Sequence, residues 1–274
     1  MSDREPGRLT STDLHNHLMP GVDDGASNDD EARYGLTALR EAGVGTIATT
    51  PHVNASALAR RSWAQQAAAL DAAWERLVEL GAETVPDVTL HRGAEVRLDI
   101  PDPDLSDPRV RLGGGQTALV EFAYFTIPPF SERLVERLRT AGWIPVIAHP
   151  ERYRGYTSAV DVVGQWRDAG AIIQVNAGSL TGRYGAEPKS IARNLLARGW
   201  IDCIASDYHA RGAPELTPAR EWLRSMGAES HAALLLDSNP ARILAGQEPV
   251  PVPPLIPKEG LLSRVLTALR GGRT

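Results

Sequence analysis

Residues 13–26, Asp-Leu-His-Asn-His-Leu-Met-Pro-Gly-Val-Asp-Asp-Gly-Ala, hold a dense group of side chains able to bind a metal. In an extended chain residues i and i+2 face the same way, so His15 and His17 converge where a strand runs out. Neutral imidazole is among the commonest metal ligands. Pro20 and Gly21 then turn the chain, and two adjacent carboxylates follow, Asp23 and Asp24. Alone, a His-x-His pair is equally well explained by surface histidines.

The elements around the pair give it context. Apolar runs predict strands at 10–17, 44–50, 88–98, 117–123, 144–148, 172–175 and 201–205. Helical spacing predicts helices at 27–41, 55–80, 131–140, 161–169, 188–198, 216–226 and 232–236. Gly43 caps the first of these and Gly81 stops the second, whose stripe is Leu58, Trp63, Ala67, Leu70, Trp74 and Leu77. Apolar strands alternating with helices imply a parallel sheet covered on both faces. The expected fold class is α/β, a single-domain closed or distorted (β/α) barrel, with a doubly wound open sheet as second reading. Residues 1–9 read as an N-terminal arm and 10–246 as the barrel. Residues 247–258 read as a proline-rich linker, and 259–274 as an amphipathic tail with Leu261, Leu262, Val265, Leu266 and Leu269 apolar.

With the strands placed, a constellation emerges. His15, His17, His52, Glu95, Glu121, His149, Asp207 and His209 all fall at or near C-terminal strand ends, the face that carries the active site of (β/α) barrels. Asp24 joins them from the first loop. Five histidines and four acids exceed the needs of one tetrahedral ion. They fit two or three divalent ions bridged by carboxylates. His91, inside a strand, and His231, in a helix, read as structural. Cys203 lies in an apolar strand, and the position six residues on, where a cysteine phosphatase needs arginine, is His209. It reads as a core residue. Arg152, Arg183 and Arg211 are candidate anion binders at the rim, since a guanidinium forks onto phosphate oxygens. Asn176, at the end of its strand, is a further candidate for substrate binding.

Composition narrows the class. Of 274 residues 42% are apolar and 23% charged, enough for a sizeable core. A formal charge of −5 argues against binding nucleic acid through phosphate neutralisation. One cysteine excludes an intrachain disulfide framework and fits a reducing compartment. The polar N-terminus lacks a signal-peptide core, and no run is long enough for an integral membrane segment. The expectation is a cytoplasmic protein.

The His-x-His opening, Thr50-Pro51-His52 and the closing Asp207-x-His209 resemble the PHP (polymerase and histidinol phosphatase) superfamily. The strings DLHNHLMPGVDDGA, ATTPH, GAEV, VEF, AHPERY, QVNAGSLTGRYG and ASDYH narrow this. Together they resemble the bacterial manganese-dependent protein-tyrosine phosphatases of capsule and exopolysaccharide loci, the CpsB/CapC type. The resemblance runs from about residue 12 to residue 244 and implies a distorted (β/α)₇ PHP-type barrel with a three-metal centre. The ligands it implies are His15, His17, Asp24, His52, Glu95, Glu121, His149, Asp207 and His209. The ions would be Mn²⁺, with iron or zinc as alternatives. Arg152 carries over as a phosphate contact, and Arg211 with it. The implied substrate is phosphotyrosine of the tyrosine autokinase that controls polysaccharide chain length. Val53 and Ala210 depart from the pattern, which usually has a basic residue or histidine at the first position and asparagine at the second.

The chemistry expected is attack on phosphorus by metal-activated hydroxide. A tyrosyl leaving group, a phenolate of pKa about 10, needs little general-acid help. One rival is a PHP phosphoesterase acting on a small phosphate monoester or on nucleic-acid ends. Another is a metal-binding regulatory module without turnover, against which the intact ligand set argues. An amidohydrolase would want a bridging carboxylated lysine, yet Lys189 and Lys258 are the only lysines and neither ends a strand.

Overall fold

The computed structural model describes residues 9–154 and 159–256. The expected tail at 259–274, and all of the expected arm except Leu9, lie outside the described residues. The chain opens with β1 (Ser11–Asp13), α1 (Asp29–Glu41), β2 (Val44–Thr49), β3 (His52–Asn54), α2 (Ala55–Leu58) and α3 (Trp63–Thr84). It continues through β4 (Thr89–Arg92), β5 (Glu95–Leu98), β6 (Thr117–Phe122), α4 (Ser131–Thr140), β7 (Ile144–Ala148) and α5 (Ala159–Asp168). Then come β8 (Ile172–Asn176), α6 (Ala177–Thr181), α7 (Ala186–Ala197), β9 (Cys203–Ala205), α8 (Leu216–Ser225), α9 (Glu229–Ala233) and α10 (Asn239–Leu244).

All the strand pairs among the described residues are parallel, in sheets ordered β1-β2-β4 and β3-β5-β6-β7-β8-β9. Two expected strands are each broken in two. The run at 44–50 stops at Thr49 because Pro51 has no N–H to donate, and pairing resumes at His52. The run at 88–98 breaks at Gly93-Ala94, where a Cβ on Gly93 would come 3.0 Å from Leu112 and 3.3 Å from Thr50. Gly93 N donates to Thr49 O (2.9 Å) and Glu95 N to Pro51 O (3.0 Å), so both staves keep their course across the break. Counted by stave, β2 with β3 and β4 with β5, the barrel is (β/α)₇. It closes where the chain after β1 meets the chain after β9. His17 N donates to Tyr208 O and Asp207 N to His15 O, both at 2.8 Å.

Strand parity builds the core. Leu14, Ala48, Leu119, Val146, Ala148, Ile172 and Cys203 form an interior cluster, joined by Ile243 and Leu244 of α10. Their strand neighbours Ile47, Val120, Ile147, Ile173 and Ile204 face outward, onto helix residues such as Leu36, Leu77 and Trp166. Cys203 is fully buried, and burial pushes its thiol pKa well up. It is a core residue.

Helix ends differ from expectation for local reasons. Asn28 caps α1, accepting from Glu31 N (3.0 Å), so the helix starts two residues after Ser27. The expected helix at 55–80 is two helices, and Leu58 belongs to the first. Trp63 Nε1 donates to Asp107 Oδ2 (2.6 Å) where the second begins. Gly81 does not stop α3; it is buried against Leu90, and the helix runs on to Thr84. Pro86 ends it, since the residue before proline avoids helical geometry. The expected short helix at 232–236 is the middle of a longer run in which a π turn, Leu234–Ser238, joins α9 to α10. The proline-rich residues 247–256 lie on the barrel rather than free of it. Asn239 pairs with Val250 in both directions (2.8 Å each), Leu255 N donates to Leu196 O (3.1 Å), and Val252 is buried. Among the described residues no helix is long and apolar enough to cross a membrane.

The closing seam is anchored by Asp13, fully buried at the end of β1. Its carboxylate accepts from Ser206 N (2.8 Å), Ser206 Oγ (2.6 Å) and Asn16 Nδ2 (3.1 Å). Asp13→Ala leaves the buried Ser206 N–H unpaired, while Ser206 Oγ and Asn16 Nδ2 fall back on His15 O and Ala48 O, and should lower unfolding free energy by about 2 kcal/mol in urea denaturation. A loss below about 1 kcal/mol would mean that closure is held elsewhere.

Candidate metal centre

The parity that fills the barrel also determines what crowns it. Stepping by two from the lining residues Leu119, Ile172 and Cys203 reaches Glu121, then Gln174 and Asn176, then Asp207. The broken staves contribute His52 and Glu95, paired in register where β3 and β5 begin. His15 and His17 follow β1, His149 follows β7, His209 follows β9, and Asp24 comes from the loop before α1.

These nine residues meet. Their candidate ligand atoms form four overlapping groups, each within 4.8 Å: His17, Asp24, His52 and His209; His15, Glu95 and His149; His15, His17 and Asp207; His52, Glu95 and Glu121. The outer ring nitrogens of several histidines are engaged elsewhere. His15 Nδ1 donates to Gln174 Oε1 (3.0 Å), His17 Nδ1 to Asp23 Oδ2 (2.7 Å) and His209 Nδ1 to Asp207 O (2.9 Å). Each bond turns an Nε2 lone pair toward the centre. His15 Nε2 and His17 Nε2 approach each other at 3.2 Å. Glu95 Oε2 lies 3.2 and 3.6 Å from them, and Asp207 Oδ1 lies 3.4 and 3.5 Å away.

This donor set fits divalent cations. Glu95 Oε2 and the Nδ1 atoms of His52 and His149 are buried without hydrogen-bond partners. Buried acceptors left this way are costly, and a cation among them relieves the cost. Mixed imidazole and carboxylate donors suit a first-row divalent ion.

The electrostatics agree. Burial opposes charge on Glu95, but His15 and the hydrogen bond from His149 hold its pKa well below the carboxylate range. Burial likewise opposes charge on Asp207, and His15 and His17 overcome it, lowering its pKa. Burial disfavours a charged His15, yet Glu95 and Asp207 raise its pKa to about 9. Glu121 moves upward, through burial and then the Glu95 charge. His149 and Asp207 have left-handed backbone, with φ of 34° and 51°. Such strain costs about 1–3 kcal/mol per residue and persists only where the surroundings impose it. Ala210 is also left-handed, at φ 55°, a conformation that asparagine adopts more readily.

The remaining candidates divide. Arg152 joins the cluster, its Nη1 donating to Asp207 Oδ2 at 2.7 Å. It lines a cavity of about 540 Å³ with Phe125, Glu151, Tyr153 and Tyr184. Arg211 reaches the ligand loop, its Nη2 donating to Asp24 O at 2.6 Å. Arg183 is not brought in: it is 54% exposed and turns to Glu215 at 3.8 Å. Asn176 lies beside Asp207. It is fully buried, donating to Asp207 Oδ2 (2.7 Å) and accepting from Gln174 (2.9 Å). His91 lies outside the four groups, and His231 holds the Pro253 carbonyl at 3.0 Å.

Sequence reasoning missed Asp23 and Gln174, which orient ligands, and the aromatic walls Phe125 and Tyr184. Gln174 was available from parity, two residues beyond Ile172. Asp23 stands beside a predicted ligand, and only its geometry separates it from Asp24. Nothing in the pattern of the aromatic residues marked Phe125 or Tyr184.

The closed parallel barrel, with this crown of donors at its mouth, defines a (β/α)₇ barrel with a candidate metal centre. A family model for capsular polysaccharide synthesis, CpsB/CapC, matches residues 11–245, and the chain belongs to that family. It is 33% identical over 202 residues to the tyrosine-protein phosphatase YwqE of Bacillus subtilis, covering 72% of this chain and 76% of that one. It is 27% identical over 247 residues to the tyrosine-protein phosphatase CpsB of Streptococcus pneumoniae, covering 86% of this chain and 98% of that one. A chain from crystal structures of YwqE and CpsB, described as unique metal-dependent tyrosine phosphatases, matches with a TM-score of 0.72 at 27% identity. The match covers 90% of this chain and 100% of that one.

Gly25 gives a test of the ligand loop. A Cβ there would land on the His17 carbonyl oxygen and Cβ. Gly25→Ala should therefore displace His17 and reduce bound metal by elemental analysis, while far-UV circular dichroism stays that of the parent. Full metal content in the variant would remove His17 from the ligand set.

Proposed function

We propose that this chain is a metal-dependent protein-tyrosine phosphatase, with residues 10–246 as the catalytic unit. The observation that carries the reading is the convergence of nine imidazoles and carboxylates, in four overlapping groups, at the barrel mouth. Family membership supports it. We assign three divalent ions, manganese before iron or zinc, to His15, His17, Asp24, His52, Glu95, Glu121, His149, Asp207 and His209. Ions held there supply an acidified water as nucleophile and positive charge for the phosphoryl oxygens.

The chain's own groups do the rest. Asn176 and Arg152 both donate to Asp207 Oδ2 and hold that carboxylate still. One of the five guanidinium N–H groups of Arg152 is thereby engaged, and the others remain for phosphate oxygens. Arg211, tied to the Asp24 carbonyl, stands ready as a second cation at the rim. A departing phenolate, with pKa about 10, leaves without a strong proton donor. An alkoxide does not, and the cluster favours aryl phosphates for this reason. The resemblance to capsule-locus phosphatases adds a bacterial tyrosine autokinase as protein substrate and a cytoplasmic location.

Initial rates on a phosphotyrosyl peptide, a phosphoseryl peptide and histidinol phosphate, with added manganese, test the assignment. The phosphotyrosyl peptide should be fastest, and chelation should abolish its turnover, with manganese restoring it best. Full turnover in protein shown to be metal-free would sink the mechanism, and a preference for histidinol phosphate would return the chain to the small-ester reading.

Arg152 separates binding from metal loading. Arginine has no free lone pair for a metal, so Arg152→Ala should keep its ions yet lose about 10²–10³ in kcat on aryl phosphates. Arg152→Lys should recover only part, because a point charge does not reproduce the planar fork. A near-normal Arg152→Ala rate would move the phosphate clamp to Arg211.

A further inference from the structure

Arg152 lies between two aromatic rings. Its guanidinium carbon is 4.7 Å from the ring centroid of Phe125 and 4.7 Å from that of Tyr184. Its Nη1 is tied to Asp207. With two rings against it and one N–H engaged, the guanidinium is restrained, and its other N–H groups are left for a ligand.

The backbone on both sides is built to bring the rings there. Tyr124 and Phe125 have φ of 58° and 50°, a left-handed conformation that bulky residues rarely adopt. Arg154 pins this strained pair. Its N–H donates to Phe125 O (2.7 Å), and its carbonyl accepts from Ile127 N (3.0 Å). The Phe125 ring also faces the His149 imidazole, centroid to centroid at 5.5 Å. Opposite, Tyr184 sits in a turn between Gly182 and Gly185, at φ of 98° and 99°. Its ring rests on Gly178, where a Cβ would come 2.9 Å from the tyrosine Cε2. Gly178 thus makes room for the ring, while Gly182 and Gly185 turn the chain on either side of it.

We infer that Phe125 and Tyr184 are positioning residues, whose rings clamp the Arg152 guanidinium so that its open N–H groups are oriented before phosphate arrives. The inference rests on reading Arg152 as the phosphate clamp. A rim arginine free to rotate would lose side-chain freedom on gripping phosphate, whereas a clamped one has already lost it. Ring faces also attract a guanidinium, and more strongly where water is excluded. Neither ring has to touch the substrate for this effect.

A double-mutant cycle tests it. Phe125→Leu and Tyr184→Leu, each in the parent and in Arg152→Ala, would be assayed on a phosphotyrosyl peptide with added manganese at matched metal content. In the parent each change should lower kcat/KM roughly 3- to 30-fold, the span of cation–π contacts. In Arg152→Ala the same changes should alter the rate by less than about twofold, because nothing remains to be positioned. Tyr184→Phe, which keeps the ring, should recover the parent rate. Equal losses in both backgrounds, with Arg152→Ala itself impaired, would overturn the positioning role and leave the clamp standing. A loss in Tyr184→Phe as large as in Tyr184→Leu would assign the effect to the hydroxyl and overturn it too. An unimpaired Arg152→Ala would overturn the clamp and the positioning role together.

Discussion

Two carboxylates buried at the mouth of the barrel, Glu95 and Asp207, set the terms for everything around them. Taking an ion out of water costs several kcal/mol even after relaxation, and only close opposite charge or a full set of hydrogen bonds offsets it. Asp207 receives bonds from Arg152 and Asn176. Glu95 receives one from His149 and keeps a second oxygen without any. His15 and His17, closest to this pair, are drawn toward the protonated state. A metal ion supplies the same positive charge without a proton. The cluster therefore suits a cation on electrostatic grounds as well as by ligand type.

The same few residues serve the fold. His15, Asn16 and His17 pair with Asp207 and Tyr208 to close the barrel, and Asp13 locks the joint through Ser206. The breaks in the second and third staves fall where His52 and Glu95 are delivered. Irregularity is thus concentrated at one rim, while the strands below it keep an unbroken apolar lining. That division lets the interior be stabilised by packing and leaves the rim's geometry to be set by polar bonds.

How much was legible follows from the kind of signal each part leaves. Strands such as β7 and β8, apolar but for Gln174 and ended by His149 and Asn176, announced both the parallel sheet and the face of the site. Eight of the nine candidate ligands could be read because each is chemically distinctive and falls at or near a strand end, and Asp24 because it follows the His-x-His pair in the same short loop. The broken staves could not, since Pro51 and Gly93 are compatible with either a bulge or a stop until their neighbours are known. Gly81 misled for a related reason: its meaning is close packing on Leu90, a partner outside its helix. The bonds of Asn176 to Asp207 and Gln174 could not be read either, because burial and the direction of its amide are tertiary facts. Phe125 and Tyr184 act through faces rather than polar atoms, and such roles leave no trace in residue spacing.

The same contacts hold the donors in place. In small zinc modules the site does not exist before the metal arrives, so metal binding and folding are one event. Here the outward nitrogens of His15, His17 and His209 are already fixed by Gln174, Asp23 and the Asp207 carbonyl. The interior below them is filled by apolar residues, among them Leu119 and Leu244. The candidate donors are thus held at set angles by bonds and packing of the fold itself. For a cation at this site the opposing protons sit on His15 and His17, so the balance is chiefly one of charge, and only slightly one of conformation.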